Sequence, residues 1–273
     1  MSTETEDIEL ELLVEAIYRK YGYDFRNYTR SSLKRRVMQR LHRAGLPHLS
    51  AMQHLVLTDQ AFFSTLLLDM TINVTEMFRD PAFYLKIREK VIPVLKTYPF
   101  CKIWHAGCST GEEVYSMAIL LAEENLLKNI MIYATDIDEL VLKKARDGIF
   151  DLDRMKEYTK NYQRAGGTGY FSDYYTANHR AAIIDGRLKK NIVFAQHNLV
   201  TDSTFGEMNL IICRNVLIYF DRQLQNRVIE LFRKSLVRRG ILCLGSKESL
   251  NFSNQRNSFE DFVAGEKIYR RIK

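Results

Sequence analysis

The stretch KIWHAGCSTGEEVYSMAILLAEE, residues 102–124, limits the possible folds of this chain more than any other. Ile103 to Ala106 reads as a buried strand, Gly107 to Gly111 as a small-residue loop, and the residues from Glu112 onward as an amphipathic helix. A strand that breaks at glycines and re-enters as a helix is the nucleotide-binding crossover of a doubly wound sheet. Gly107 and Gly111 permit positive φ and close backbone approach. The pattern is not GxGxxG, and strand, glycine loop and helix follow one another in many folds. The two carboxylates that end the loop, Glu112 and Glu113, would repel a pyrophosphate. They favour a ligand with a cationic group, and S-adenosylmethionine (SAM), with its adenosine, sulfonium and ammonium, meets that description.

A second signal lies about 25 residues on. NIMIYA, residues 129–134, is a strand that ends in TDID. An acid at the end of the second strand accepts hydrogen bonds from ribose hydroxyls in this fold class, which makes Asp136 the candidate. Asp136 and Asp138 are also suited to capping the helix predicted over Glu139 to Arg146, and one can cap while the other binds. Further strands are expected at Asn191 to Ala195, Asn209 to Cys213 and Gly240 to Gly245, with a helix over Gln223 to Leu236. Their polar ends place Asn198, Arg214 and Asn215 on the rim that carries Glu113 and Asp136.

Ahead of this pattern the chain reads as helical. Ile8, Leu12, Leu13, Ala16 and Ile17 follow helical spacing beside an acidic face. From Phe25 to Thr58 there is no acid. Ser31 or Ser32 can cap a helix running to Ala44, which Gly45 and Pro47 stop. It carries Leu33, Val37 and Leu41 on one stripe and Arg36, Arg40 and Arg43 on another. Unpaired arginines repel one another, so an acidic partner is expected: a protein surface, a nucleic acid, or the acidic first helix of the same chain. Residues 50–70 continue as helix. DMTINVTEMFRD, residues 69–80, is irregular and precedes a helix starting at Pro81; Asn73, Thr75 and Arg79 are candidate ligand contacts there. Residues 151–190 interrupt the βα alternation. A helix and a short antiparallel excursion are expected, with a hairpin turn at Asp185-Gly186.

The 273 residues suffice for one large or two small domains, and 27% charged residues suit a soluble globular chain. No apolar run nears the ~18–20 residues needed to cross a bilayer, and the acidic N-terminus lacks a basic-then-apolar leader. Cys101, Cys108, Cys213 and Cys243 have no metal-like spacing and read as reduced thiols. A cytoplasmic protein without metal or membrane insertion is expected.

Five motifs, NVTEMFRD (73–80), AGCSTGEEVYS (106–116), ATDID (134–138), HNL (197–199) and CRNVLIYFD (213–221), give the chain a resemblance to the CheR chemoreceptor glutamate methyltransferases. They stand in family order with family-like spacing over nearly the whole chain. The resemblance implies an α/β fold: a Rossmann-like SAM-dependent methyltransferase domain, an all-α N-terminal domain and a small inserted antiparallel β-subdomain. The expected divisions are a helical substrate-recognition domain at 1–78, a linker helix at 79–100 and the SAM domain at 101–273, with the insertion at about 165–190. Carried over residue by residue, Asn73, Thr75, Arg79, Glu113, Asp136, Asn198, Leu199, Arg214 and Asn215 would contact SAM or its product S-adenosylhomocysteine. Tyr219 would lie beside the methyl group and the substrate carboxylate, orienting the oxygen that does not attack. Arg79 would serve mainly the methionine carboxylate. Arg36, Arg40 and Arg43 would grip the acidic helical bundle of a receptor, and the β-subdomain holds a receptor C-terminal peptide in some members. Val114 stands where many members have proline, a residue favoured but not required in a first turn. The alternatives are a nucleic-acid methyltransferase, using the basic helix for RNA, and a non-catalytic SAM sensor. The chain lacks an Asn-Pro-Pro-Tyr motif and a paired-cysteine nucleophile motif.

Overall fold

Leu10, Leu13, Val14 and Ile17 recur at helical spacing and are all buried, so the first helix, α1 (Thr3–Tyr21), packs along that stripe. The structure is a computed structural model and describes residues 3–71 and 75–273. Among the described residues the chain divides into two compact units. Met1–Asn73 with Ile218–Val228 form the first, and Val74–Leu217 with Ile229–Lys273 the second.

In the first unit α1 is followed by α2 (Arg30–Arg43), α3 (Leu49–Thr58) and α4 (Gln60–Met70). Leu33, Val37 and Leu41 of α2 join Met52, Val56, Phe63 and Leu66 in one core. Neither Ser31 nor Ser32 caps α2: the helix starts at Arg30, with Thr29 in the cap position and no side-chain cap bond. It ends as expected at Ala44, before Gly45 at φ +64°. Asp59 caps α4 by accepting from the N–H groups of Ala61 and Phe62.

The acids missing from α2 are supplied by the same unit. Lys34 pairs with Glu6 at 3.1 Å and Asp7 at 2.7 Å, and Arg30 with Glu11 at 2.8 Å. Arg40 and Arg43 both reach Asp69 of α4. Arg36 is turned inward, against the reading of an exposed three-arginine stripe. It is buried, donates to the Met70 carbonyl and to Ser32 Oγ, and lies 4.5 Å over the Tyr219 ring. A guanidinium on an aromatic face loses less by desolvation than one in pure hydrocarbon.

The second unit is built on a sheet whose strands are ordered β6-β2-β1-β7-β8-β10-β9. β1 (Cys101–Ala106), β2 (Ile130–Asp136), β6 (Ile192–Gln196), β7 (Met208–Cys213) and β8 (Leu236–Leu244) run parallel. β10 (Ile268–Arg271) is antiparallel to β8 and to β9 (Phe259–Val263). The chain steps from β1 to β2 on one side and later returns to β7 on the other. The carboxyl ends of β1 and β7 therefore flank the switch point where open α/β sheets bind ligands. Helices α5 (Pro81–Lys86) and α6 (Ile92–Leu95) precede β1, and between strands lie α7 (Glu112–Glu123), α8 (Glu139–Asp147), α9 (Met155–Arg164) and α10 (Gly186–Lys189). Arg222–Ser235 forms α11, which crosses from one unit into the other. Helix α7 is not amphipathic as expected. Residues Val114 to Leu121 are all buried, and their apolar members form one cluster with Tyr158 and Tyr162 of α9 and Leu188 of α10.

The insertion carries a small antiparallel sheet ordered β3 (Ile149–Asp151), β5 (Ala181–Ile184), β4 (Tyr175–Asn178). Its hairpin turns at His179-Arg180, with His179 at φ +51°, and not at Asp185-Gly186. Asp185 instead caps α10 by accepting from Arg187 N–H at 2.7 Å. Aspartate serves a hairpin turn and a helix cap equally well, so the dipeptide alone cannot choose between them.

Candidate active site at the carboxyl edge of the sheet

The site is built first from backbone. The N–H groups of Gly107 and Cys108 both donate to the Thr135 carbonyl, at 2.8 and 2.9 Å, tying the end of β1 to the end of β2. Gly107 sits at φ +80°, and a Cβ there would lie 2.5 Å from Val216 Cγ2, so only glycine fits. Ser109, at φ +49°, donates its N–H to Asp136 Oδ2 at 2.8 Å. Asp136 Oδ1 accepts from Asp138 N–H at 3.2 Å, and Asp138 caps α8 through Leu140 N–H. The two acids thus divide as the sequence allowed: Asp138 is the cap and Asp136 faces the loop. Each Asp136 oxygen holds one backbone N–H and keeps acceptor capacity, which suits the two hydroxyls of a ribose. Burial pushes its pKa up to about 6, against the lowering effect of the backbone N–H groups of Ser109 and Asp138.

An ionic chain crosses the switch point. Asp80 Oδ2 accepts from Arg214 Nη2 at 2.5 Å, and Arg214 Nη1 lies 3.2 Å from Glu113 Oε2. Glu113 Oε1 lies 3.0 Å from His105 Nδ1. Arg214 also rests 4.1 Å over the Phe83 ring, and its Nη1 is 3.4 Å from the Arg79 carbonyl. Burial raises the pKa of Glu113, but the hydrogen bond from His105 and the charge of Arg214 outweigh it and hold the carboxyl below its ordinary range. Glu112 is the reverse case. Buried beside Thr110, which donates to it at 2.6 Å, its pKa is raised by desolvation despite Arg154 at 3.5 Å.

Asn215 stands at φ +62° directly after Arg214. Glu248 holds this turn by accepting from the N–H groups of Gly245 (2.6 Å), Asn215 (3.1 Å) and Val216 (2.9 Å). Phe78, Asp80, Ser109 and Asn215 are half of the eight non-glycine residues at positive φ among the described residues. Such backbone costs about 1 kcal/mol or more per residue, and it gathers at functional sites.

Asn198 and Leu199 follow β6, which runs beside β2; His197 N–H donates to the Asp136 carbonyl at 3.0 Å. The Asn198 side chain closes its own turn by accepting from Val200 N–H. Thr75 receives Arg154 Nη2 on its carbonyl at 2.6 Å. Tyr219 belongs to the first unit, where its carbonyl accepts from Thr29 N–H and Arg36 covers its ring. Asn73 lies outside the described residues. His105, Asp80 and Glu248 were not among the expected residues. Glu248 had a usable signal, a carboxylate just past the carboxyl end of β8. His105 had none, since a histidine within an apolar strand is ordinary core.

Two family models match the chain. CheR methyltransferase, all-alpha domain, matches residues 8–71, and CheR methyltransferase, SAM binding domain, matches residues 73–265. The Cher3 protein of Pseudomonas putida is 52% identical over 265 residues, 97% of each chain. The chemotaxis protein methyltransferase of Escherichia coli is 29% identical over 275 residues, covering 96% of this chain and 90% of its own. Its counterpart in Salmonella typhimurium is 28% identical over 270 residues, with the same coverage.

Proposed function

Since the chain belongs to the CheR methyltransferase family and is a SAM-dependent methyltransferase, we propose that it methylates glutamate side chains of chemoreceptors, forming methyl esters. The observation that carries this reading is Glu113, held ionised between His105 and Arg214, beside a strand-end aspartate tied to a glycine loop. That pairing of an anion with a ribose acceptor suits a sulfonium nucleoside. When bound, SAM supplies a methyl group on a cationic sulfur.

A glutamate nucleophile has a free pKa of about 4.3 and is ionised at neutral pH, so no general base is required. The protein's task is alignment of carboxylate, methyl and sulfur. Asp136 holds the ribose, Glu113 faces the cationic end of the ligand, and Arg79 serves the methionine carboxylate. Tyr219 orients the substrate carboxylate. Thr75, Asn198, Leu199 and Asn215 complete the pocket, with Asn73 preceding them in the chain. The receptor's acidic helical bundle is the proposed partner of Arg40 and Arg43 on α2, with Arg36 steadying Tyr219 from beneath. The insertion is the proposed seat of a receptor C-terminal peptide. The likeness to chemotaxis protein methyltransferases, and not the charge of α2, disfavours an RNA-binding role for that helix.

The test is incubation with tritiated SAM and receptor-containing membranes, followed by mild alkali. Volatile methanol released from a receptor-sized protein band is expected; alkali-stable label on protein or RNA would overturn the reading. Tyr219→Phe should lower kcat by about tenfold or more while the Kd for SAM stays within about twofold. Equal loss of both would make it structural.

The pH dependence follows from Asp136. With its pKa raised to about 6, it is protonated below that value and loses its full anionic acceptor. The affinity for SAM should therefore fall about tenfold between pH 7 and pH 5, measured by calorimetry. A flat profile would mean that Asp136 stays ionised to below pH 5 or does not touch the ligand, and the affinity of Asp136→Ala at pH 7.5 separates the two.

A further inference from the structure

His105 is fully buried in the middle strands of the sheet, with Ala134 of β2 and Ile212 of β7 as its register neighbours. Its Nδ1 lies 3.0 Å from Glu113 Oε1, and among the described residues its Nε2 has no hydrogen-bond partner. An ionised carboxylate can only accept, so Nδ1 carries the donated hydrogen. A buried ring nitrogen without a partner costs stability, and a fully buried position on an inner strand would be filled more favourably by valine or isoleucine. What the imidazole contributes is the bond to Glu113. That carboxylate is then held at both ends, Oε1 by His105 and Oε2 by Arg214, so its plane is set before any ligand arrives.

We propose that His105 is a positioning residue for SAM, fixing the orientation of Glu113 without touching the ligand. The proposal rests on Glu113 being a SAM contact. Holding one carboxylate oxygen from behind leaves the outward lone pairs pointing one way. A freely rotating carboxylate would have to be ordered during binding, at a cost in affinity.

The two amide side chains separate this role from simple packing. Asparagine places its N–H near the position of Nδ1, whereas glutamine reaches toward Nε2 and presents no donor to Glu113. His105→Asn should keep the KM for SAM within about threefold of the parent, while His105→Gln raises it about tenfold with kcat changed by less than about threefold. In a Glu113→Gln background, itself at least about tenfold weaker for SAM, the difference between the two should vanish. Should His105→Gln not fold, His105→Ser, whose hydroxyl is too short to reach Glu113, takes its place. Equal loss in the asparagine and glutamine variants would overturn the positioning role while leaving Glu113 as a contact. Unchanged SAM affinity in Glu113→Gln would overturn the contact itself, and the proposal with it.

Discussion

Asp136→Ala is expected to raise the Kd for SAM at least tenfold at pH 7.5, with the fold retained. Each hydrogen bond to a charged acceptor contributes about 1.5–3 kcal/mol, and about 1.4 kcal/mol is a factor of ten. Losing even one ribose hydroxyl bond therefore reaches the expected change, and losing two exceeds it. The same substitution should not unfold the protein. Asp136 is 9% exposed, and burial disfavours its ionised form in the folded state, as its raised pKa of about 6 records. Its folded pKa lies above the unfolded value of about 3.9, so the penalty for ionisation grows as pH rises through that interval and is complete above about pH 6. At pH 7.5 alanine removes that penalty, though it leaves Ser109 N–H without its acceptor. Titration calorimetry and thermal melting on one preparation check both halves. An unchanged Kd would remove Asp136 from the ribose site.

Arg214→Leu should cost about 3–5 kcal/mol of stability and abolish measurable SAM binding. The Arg214 side chain is 2% exposed and is shared by Glu113, Asp80 and the Phe83 ring. Leucine fills much of the volume but leaves Glu113 ionised in a partly buried site with His105 as its remaining partner. An uncompensated buried charge is more costly than the absence of the whole pair, so Arg214→Leu with Glu113→Gln should recover a substantial part of the loss. In the double variant the amide oxygen introduced at position 113 can still accept from His105. Denaturant unfolding of both variants checks this. A cost below about 1 kcal/mol for the single variant would mean that water reaches the carboxylate and that the ion pair is weak, as at a surface.

Local chemistry explains what could be read early. The alternation and runs of apolar residues placed β1, β2, β7 and α2 to within a few residues, because burial on a strand or helix face imposes a short period. Gly107 and Gly111 marked the loop because their φ values, +80° and +93°, suit a residue without Cβ. That one of Asp136 and Asp138 caps α8 was legible, as capping depends on neighbours two residues away, but only the structure assigned the cap to Asp138. The full burial of helix α7 was not legible, because a helix covered on all sides has no polar face to reveal its period.

The amino-acid sequence by itself determined the parallel strands β1, β2, β6, β7 and β8, the family, the glycine loop and the acids on the sheet's rim. Tertiary structure alone decided which charges meet. Arg36 turns inward onto Tyr219, Arg40 and Arg43 share Asp69, Glu248 holds the Asn215 turn from 33 residues away, and His105 finds Glu113 across the loop. The reason is range. Periodicity and capping are settled within a turn or two of chain, whereas a buried ion pair forms only where sheet order and helix packing bring distant residues into contact and water is excluded.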